Sequence, residues 1–224
     1  MPVNKEAYQS IKAELASRNV TLVAVSKTKP IEDIRELYSI GHRDFGENYV
    51  QELVEKAEQL PTDIRWHFIG HLQTNKVRYI APFVQLIQGV DSLKLLREIN
   101  KQAEKSGRVI DCLLQVYIAK EETKFGLDET ELITLLSELE NLEMNNVRIV
   151  GLMGMASFTE NMDVVRKEFK SLKSLFDRVN SAPAKLSVLS MGMSSDYKIA
   201  IEEGSTLIRV GSLLFGERTK GEDS

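Results

Sequence analysis

Short apolar, β-branched runs alternate along the chain with longer stretches in which apolar residues recur every three or four positions. That alternation predicts repeated βα units around a parallel sheet. Strands are expected at residues 21–26, 43–45, 65–69, 84–87, 109–117, 147–152, 186–189 and 207–210. Helical periodicity lies between them, as at residues 92–105, where Leu93, Leu96, Ile99 and Ala103 share one face. Eight strands, each leading into a helix, would close into a single-domain (β/α)8 TIM-type barrel; an open doubly wound sheet is the structural rival. An additional helix over residues 5–17 precedes the first strand and is expected beneath the barrel. No Pro/Gly/Ser-rich linker or tandem repeat interrupts the alternation, so residues 1–224 are expected to form one domain, with a frayed polar tail at 217–224.

Composition narrows the class. With 224 residues, 42% of them hydrophobic, the chain can bury a sizeable core. A net charge of −4 argues against a nucleic-acid or anionic-membrane surface. One cysteine, Cys112, excludes an intrachain disulfide and fits a reducing compartment. The N-terminus lacks the apolar stretch of a signal peptide, and no apolar run reaches about 18 residues. A soluble cytoplasmic protein is expected.

In barrels of this kind chemistry collects at the C-terminal ends of the strands. Lys27 follows the first expected strand, Glu47-Asn48 the second and Gly70-His71 the third. Met153-Gly154-Met155 follows the sixth, residues 190–195 the seventh, and Arg209-Val210-Gly211-Ser212 ends the eighth. The stretch Ser190-Met191-Gly192-Met193-Ser194-Ser195 has the makeup of an anion cradle, with Gly211-Ser212 as its second half. The plain alternative is a capped helix after a glycine turn. Period-two alternation puts Val23, Val25 and Lys27 on one side of the first strand. If that side faces the barrel axis, partial burial lowers the lysine's pKa and makes it a better nucleophile toward a carbonyl; otherwise Lys27 simply extends into water. Lys29 shares the parity but precedes Pro30, which biases it toward a loop.

Other groupings are less informative. His67 and His71 are spaced like a helical zinc pair, but the segment reads as strand and turn, where their side chains diverge. Glu121-Glu122 with Asp128-Glu129 reads as a solvated helix edge, and Cys112 as a buried inert thiol.

Taken together, the motifs resemble the pyridoxal phosphate homeostasis proteins, relatives of the barrel domain of alanine racemase. The resemblance runs from about Ala7 to Gly216. It rests on residues 23–30 (VAVSKTKP), 45–52 (FGENYVQE), 66–76 (WHFIGHLQTNK), 151–153 (GLM), 190–194 (SMGMS), 208–212 (IRVGS) and 215–216 (FG). Any one could arise by chance, but their order over the full length is specific. The resemblance implies the fold type III architecture of pyridoxal 5′-phosphate (PLP) proteins, with PLP held as a Schiff base on Lys27. It implies that Ser190, Ser194, Ser195, Gly211 and Ser212 bind the phosphate, that Arg209 faces the pyridine nitrogen, and that Asn48 and Met153 line the ring. The chain departs from the family at Lys124-Phe125-Gly126, where a serine often separates lysine and glycine, which puts an auxiliary role for Lys124 in doubt.

Electrostatics separates a binding protein from an enzyme. An arginine at the pyridine nitrogen disfavours its protonation and weakens the electron sink that PLP catalysis uses. The chain also ends shortly after Gly216, leaving no room for the β domain that supplies the second base in alanine racemase. The resemblance implies control of intracellular vitamin B6 by storage or transfer of PLP, with apo-enzymes that need PLP as its recipients. No nucleic-acid or membrane partner is expected, and a monomer is. The alternatives are a narrow-specificity PLP-dependent racemase or decarboxylase using His71, Tyr49 or Tyr117 as base, and a cofactor-free lyase using Lys27 on a phosphorylated sugar.

Overall fold

Eight parallel strands follow one another around a closed barrel: β1 (Thr21–Val25), β2 (Asp44–Glu47), β3 (Arg65–Phe68), β4 (Leu86–Val90), β5 (Ile110–Val116), β6 (Val147–Gly154), β7 (Val188–Ser190) and β8 (Leu207–Val210). β8 pairs back onto β1, with Leu22 opposite Ile208 and Ala24 opposite Val210. The structure, a computed structural model, describes residues 3–119, 125–180 and 186–217. Helices α1 (Lys5–Leu15), α2 (Ile31–Ser39), α3 (Val50–Gln59), α4 (Val77–Ile80), α5 (Leu93–Lys105), α6 (Glu129–Glu140), α7 (Met162–Val179), α8 (Tyr197–Glu202) and α9 (Ser212–Phe215) complete it. Among the described residues no helix is long and apolar enough to cross a membrane.

The barrel rather than the open sheet forms because each strand buries both faces. Inward positions Val23, Leu86, Leu113, Met153 and Leu207 pack together on the barrel axis. Outward positions such as Leu22, Ala24, Phe45, Phe68 and Ile87 pack against the helices through Ile34, Leu37, Leu53 and Leu96. The helix expected at residues 92–105 is α5, and its predicted face is the buried one, with Leu96, Ile99 and Ala103 inaccessible.

All eight expected strands exist, but several boundaries move. β2 runs on to Glu47 and β6 to Gly154, while β4 sits two residues later and contains Gly89 and a register shift. Glycine is a poor strand former on its own, and tertiary pairing overrides that preference. The first helix also departs from expectation. Asn4 accepts from the Ala7 N–H at the start of α1, while its own N–H donates to Leu214 O at the mouth end, and α1 leads down into the start of β1. It therefore lies alongside the barrel instead of beneath it, joined to α2 by Lys5–Glu36 and to α8 by Tyr197–Glu14.

His42 enters β2 buried between Tyr8 and Phe45, both edge-on to its ring. Its Nε2–H donates to Asp44 O at 2.8 Å. Burial pushes its pKa down to about 4. The folded state therefore favours neutral His42, and its stabilising contribution is present above the unfolded pKa of about 6.5 and lost as pH falls from there through 4. A loss on the order of 3 kcal/mol is expected across that window. Urea unfolding as a function of pH should show it, and His42→Gln should flatten the curve; an unchanged slope would contradict the assignment.

Candidate functional site at the barrel mouth

The C-terminal ends of the strands open into a cleft of about 600 Å³, within the range of small-ligand sites. Its wall brings together Lys27, Asn48, Ser194, Ser195, Arg209, Gly211 and Ser212, with apolar cover from Val25, Ile69, Met155, Phe158, Met193 and Leu213. The expected parity of β1 holds: Val23 packs on the barrel axis, and Val25 and Lys27 continue that side into the cleft. Lys29 also reaches the cleft, donating from Nζ to Glu217 O at 3.4 Å.

The loops after β7 and β8 are tied side by side. The Gly211 N–H donates to Ser194 Oγ at 3.2 Å, and the Met193 N–H donates to Asp196 Oδ1 at 2.6 Å. Gly192 is obligatory here: φ is +97°, and an added Cβ would lie 2.5 Å from Ala200 Cβ. Opposite, Asn48 is held by close backbone approach, since a Cβ on Gly70 would sit 2.3 Å from Asn48 O. The Asn48 Oδ1 is buried and has no hydrogen-bond partner among the described residues. An acceptor stranded at a cleft wall is what an incoming donor would satisfy.

Two expected residues lie beneath the cleft rather than on its wall. Met153 is part of the axial apolar cluster, 1% exposed. Ser190 is fully buried, accepts from Arg209 Nη1 and donates to Gln88 Oε1 at 2.7 Å. From there the chain of hydrogen bonds descends the barrel. Gln88 Nε2 donates to His67 Nδ1 at 3.2 Å, and His67 Nε2–H donates to Asp44 Oδ1 at 3.1 Å. Arg65 Nε closes it with a 2.8 Å bond to the same carboxylate. Burial opposes the charge on Asp44, but hydrogen bonds from Arg65 and His67 outweigh it and hold its pKa below the usual range. Burial lowers the Arg209 pKa to about 10, partly countered by Asp196, so the guanidinium stays charged at neutral pH. Its Nη2 donates to Gly154 O at 3.2 Å.

Sequence reading missed the groups behind β1. Glu47 is not in the loop after β2 but on its last residue, facing outward and wholly buried. Lys56 of α3 donates to it at 2.8 Å, to Ser26 O at 2.7 Å and to Glu52 at 2.6 Å. Burial pushes the Glu47 carboxyl up to about 7 against the pull of Lys56. The helical spacing of Glu52 and Lys56 was the available signal, but that spacing alone reads as a surface pair.

The remaining groupings resolve simply. His67 turns into the barrel, whereas His71 lies 3.5 Å from Asp91 and stacks on Phe125 at 4.3 Å. Asp128 caps α6 in a reciprocal pair with Glu131. Cys112 is buried, and burial raises its thiol pKa. Glu121, Glu122 and Lys124 lie outside the described residues.

Comparison with known proteins places this geometry. The family described as alanine racemase, N-terminal domain, matches residues 5–219. A pyridoxal phosphate homeostasis protein of Aquifex aeolicus is 46% identical over 88% of this chain and 86% of its own. The human protein of that name is 38% identical over 96% of this chain and 84% of its own. The structure of PipY from Synechococcus elongatus, with PLP bound, superposes with a TM-score of 0.86 at 38% identity, covering 94% of this chain and 99% of PipY. Alanine racemase of Clostridium difficile shares the fold at a TM-score of 0.80 and 15% identity, covering 97% of this chain and 57% of the racemase.

The interior chain yields a stability test. Ser190→Ala deprives both Arg209 Nη1 and Gln88 Oε1 of a partner, and should cost about 2–4 kcal/mol of unfolding free energy. Ser194→Ala, on the cleft wall where water can replace the hydroxyl, should cost less than about 1 kcal/mol. Equal small losses in urea titrations would show that the interior chain carries no stability.

Proposed function

The chain belongs to the alanine racemase N-terminal-domain family and, within it, to the pyridoxal phosphate homeostasis proteins, and from that premise we propose that it holds PLP at the barrel mouth and contributes to intracellular vitamin B6 homeostasis. The observation that carries the reading is the convergence in one cleft of an amine, a stranded amide acceptor and three hydroxyls on loops after β7 and β8. These residues suit the cofactor's chemistry. PLP supplies an aldehyde for covalent attachment, a dianionic phosphate and an electron-withdrawing ring.

Lys27 is the proposed attachment point: its Nζ would hold the cofactor as a Schiff base through the aldehyde that PLP supplies. Ser194, Ser195, Ser212 and the backbone at Gly211 would hold the phosphate. Asn48 and Arg209 would contact the ring, while Met153 and Ser190 act from beneath, one filling the barrel and the other holding Arg209. Apo-enzymes that require PLP are its proposed recipients, and a monomer in the cytoplasm the proposed form.

Robust catalysis is not part of the proposal. A charged Arg209 opposes protonation of a nearby pyridine nitrogen, which weakens the ring as an acceptor of carbanion electrons.

Three experiments test this. After borohydride reduction and digestion, mass spectrometry should place the cofactor increment on Lys27, and Lys27→Ala should abolish it. An increment on Lys29 would move the site. Ser194→Ala and Ser212→Ala should each weaken binding by about 1–3 kcal/mol in equilibrium dialysis. Third, the loaded protein incubated with L-alanine in D2O should exchange the α-proton slowly and racemise it negligibly. Sustained racemisation with many turnovers per site would establish the enzyme reading instead.

A further inference from the structure

The outward side of β1 carries a group of buried charges for which phosphate and ring binding have no use. Ser26, on the residue before Lys27, is fully buried and donates from Oγ to Glu47 Oε1 at 2.6 Å, while its carbonyl accepts from Lys56 Nζ at 2.7 Å. On the residue after Lys27, the Thr28 N–H donates to Glu52 Oε1 at 2.6 Å. Lys56 joins the two carboxylates, at 2.8 Å to Glu47 and 2.6 Å to Glu52, with side chains 6%, 0% and 22% exposed for Lys56, Glu47 and Glu52. The two residues flanking Lys27 are thus gripped from behind, on the side of the strand opposite the cleft.

What they are held in is a strained turn. Thr28 has φ +61°, and among the described residues it alone, glycines aside, has a positive φ. A β-branched side chain rarely adopts that region and does so only where the surroundings over-determine it. A largely buried cluster of two carboxyls and an ammonium is equally unexpected as a stability device, since apolar packing of the same volume commonly serves as well or better. The two costs meet at the same backbone turn, and that turn carries Lys27.

We propose that the Glu47–Lys56–Glu52 cluster is the positioning device of the attachment lysine, holding the turn at residues 26–28 in the left-handed form that directs Lys27 into the cleft. This rests on the reading of Lys27 as the attachment point. With the grip released, Thr28 relaxes toward negative φ, the peptide planes on both sides of Lys27 rotate, and the amine leaves the position at which it meets an aldehyde. Covalent capture suffers, and the phosphate site across the cleft does not.

Two probes separate those effects: PLP, and pyridoxine 5′-phosphate, which has the same ring and phosphate but no aldehyde. Glu52→Ala, which removes the acceptor of the Thr28 N–H, should weaken PLP binding and slow its capture, followed by the visible absorption of the bound form, by about tenfold, the scale of the strain of one residue held in that region. Affinity for pyridoxine 5′-phosphate should stay within about twofold, because no interaction with it has been touched. Thr28→Gly added to Glu52→Ala should restore most of the lost PLP affinity, since glycine occupies φ +61° without strain. If Glu52→Ala does not fold, Glu52→Asp, which keeps the charge but withdraws it from Thr28, carries the same comparison. Equal losses for both probes, no loss for either, or a double variant no better than Glu52→Ala would overturn the proposal. If the wild-type protein binds the two probes equally and gains no mass on Lys27 after reduction, the attachment reading itself has failed, and the proposal with it.

Discussion

The hydrogen bonding of β8 to β1 closes the barrel, and the working face depends on that closure. Val23 lies opposite Arg209 and Ala24 opposite Val210, so the segment after β1 emerges beside the segment after β8. Lys27 and Ser212, near opposite ends of the sequence, thereby come to one cleft. In an open sheet these two edges would stand apart, each with unpaired backbone groups, and neither half of the site would have its complement.

Closure also creates a dry interior, where every polar group must find a partner. The answer is a continuous chain from Arg209 through Ser190, Gln88 and His67 to Asp44 and Arg65, in which each donor meets an acceptor. Asp44 only accepts, so His67 donates to it from Nε2; the Gln88 amide nitrogen only donates, so it bonds to Nδ1, and the amide oxygen accepts from the Ser190 hydroxyl. Arg209 at the upper end is accordingly held rigidly as well as charged. At the lower end the chain reaches water through Arg65, whose side chain is 51% exposed. Val23, Leu86, Leu113, Met153 and Leu207 pack together in the same interior, so polar and apolar layers share the barrel axis.

β1 illustrates how one short strand serves two purposes. Its inward residues lead from the packed axis up to Lys27, while its outward residues end at Ser26 in the charged cluster behind the wall. The same period of two that exposes one side chain to the cleft delivers its neighbours to the residues that restrain them.

Much of this was legible in the sequence because it is local. Apolar runs and their spacing marked all eight strands, parity put Lys27 on the side of Val23, and the ordered motifs identified the family. Side and order are properties of neighbouring residues, and a linear pattern records them. Depth is not. Whether Ser190 and Met153 stand on the cleft wall or beneath it depends on where β6 and β7 stop against their partners, and β6 runs past the sequence estimate to Gly154. Glu47 read as a loop residue because a carboxylate is a poor candidate for a buried strand end, until Lys56 and Ser26 arrive from elsewhere in the chain to receive it. The helix before β1 could be recognised from its period, but its seat beside the barrel is set by Leu214, Glu36 and Tyr197, residues far along the sequence. Only the folded chain decides which charges meet, because burial energies are set by partners that sequence proximity does not reveal.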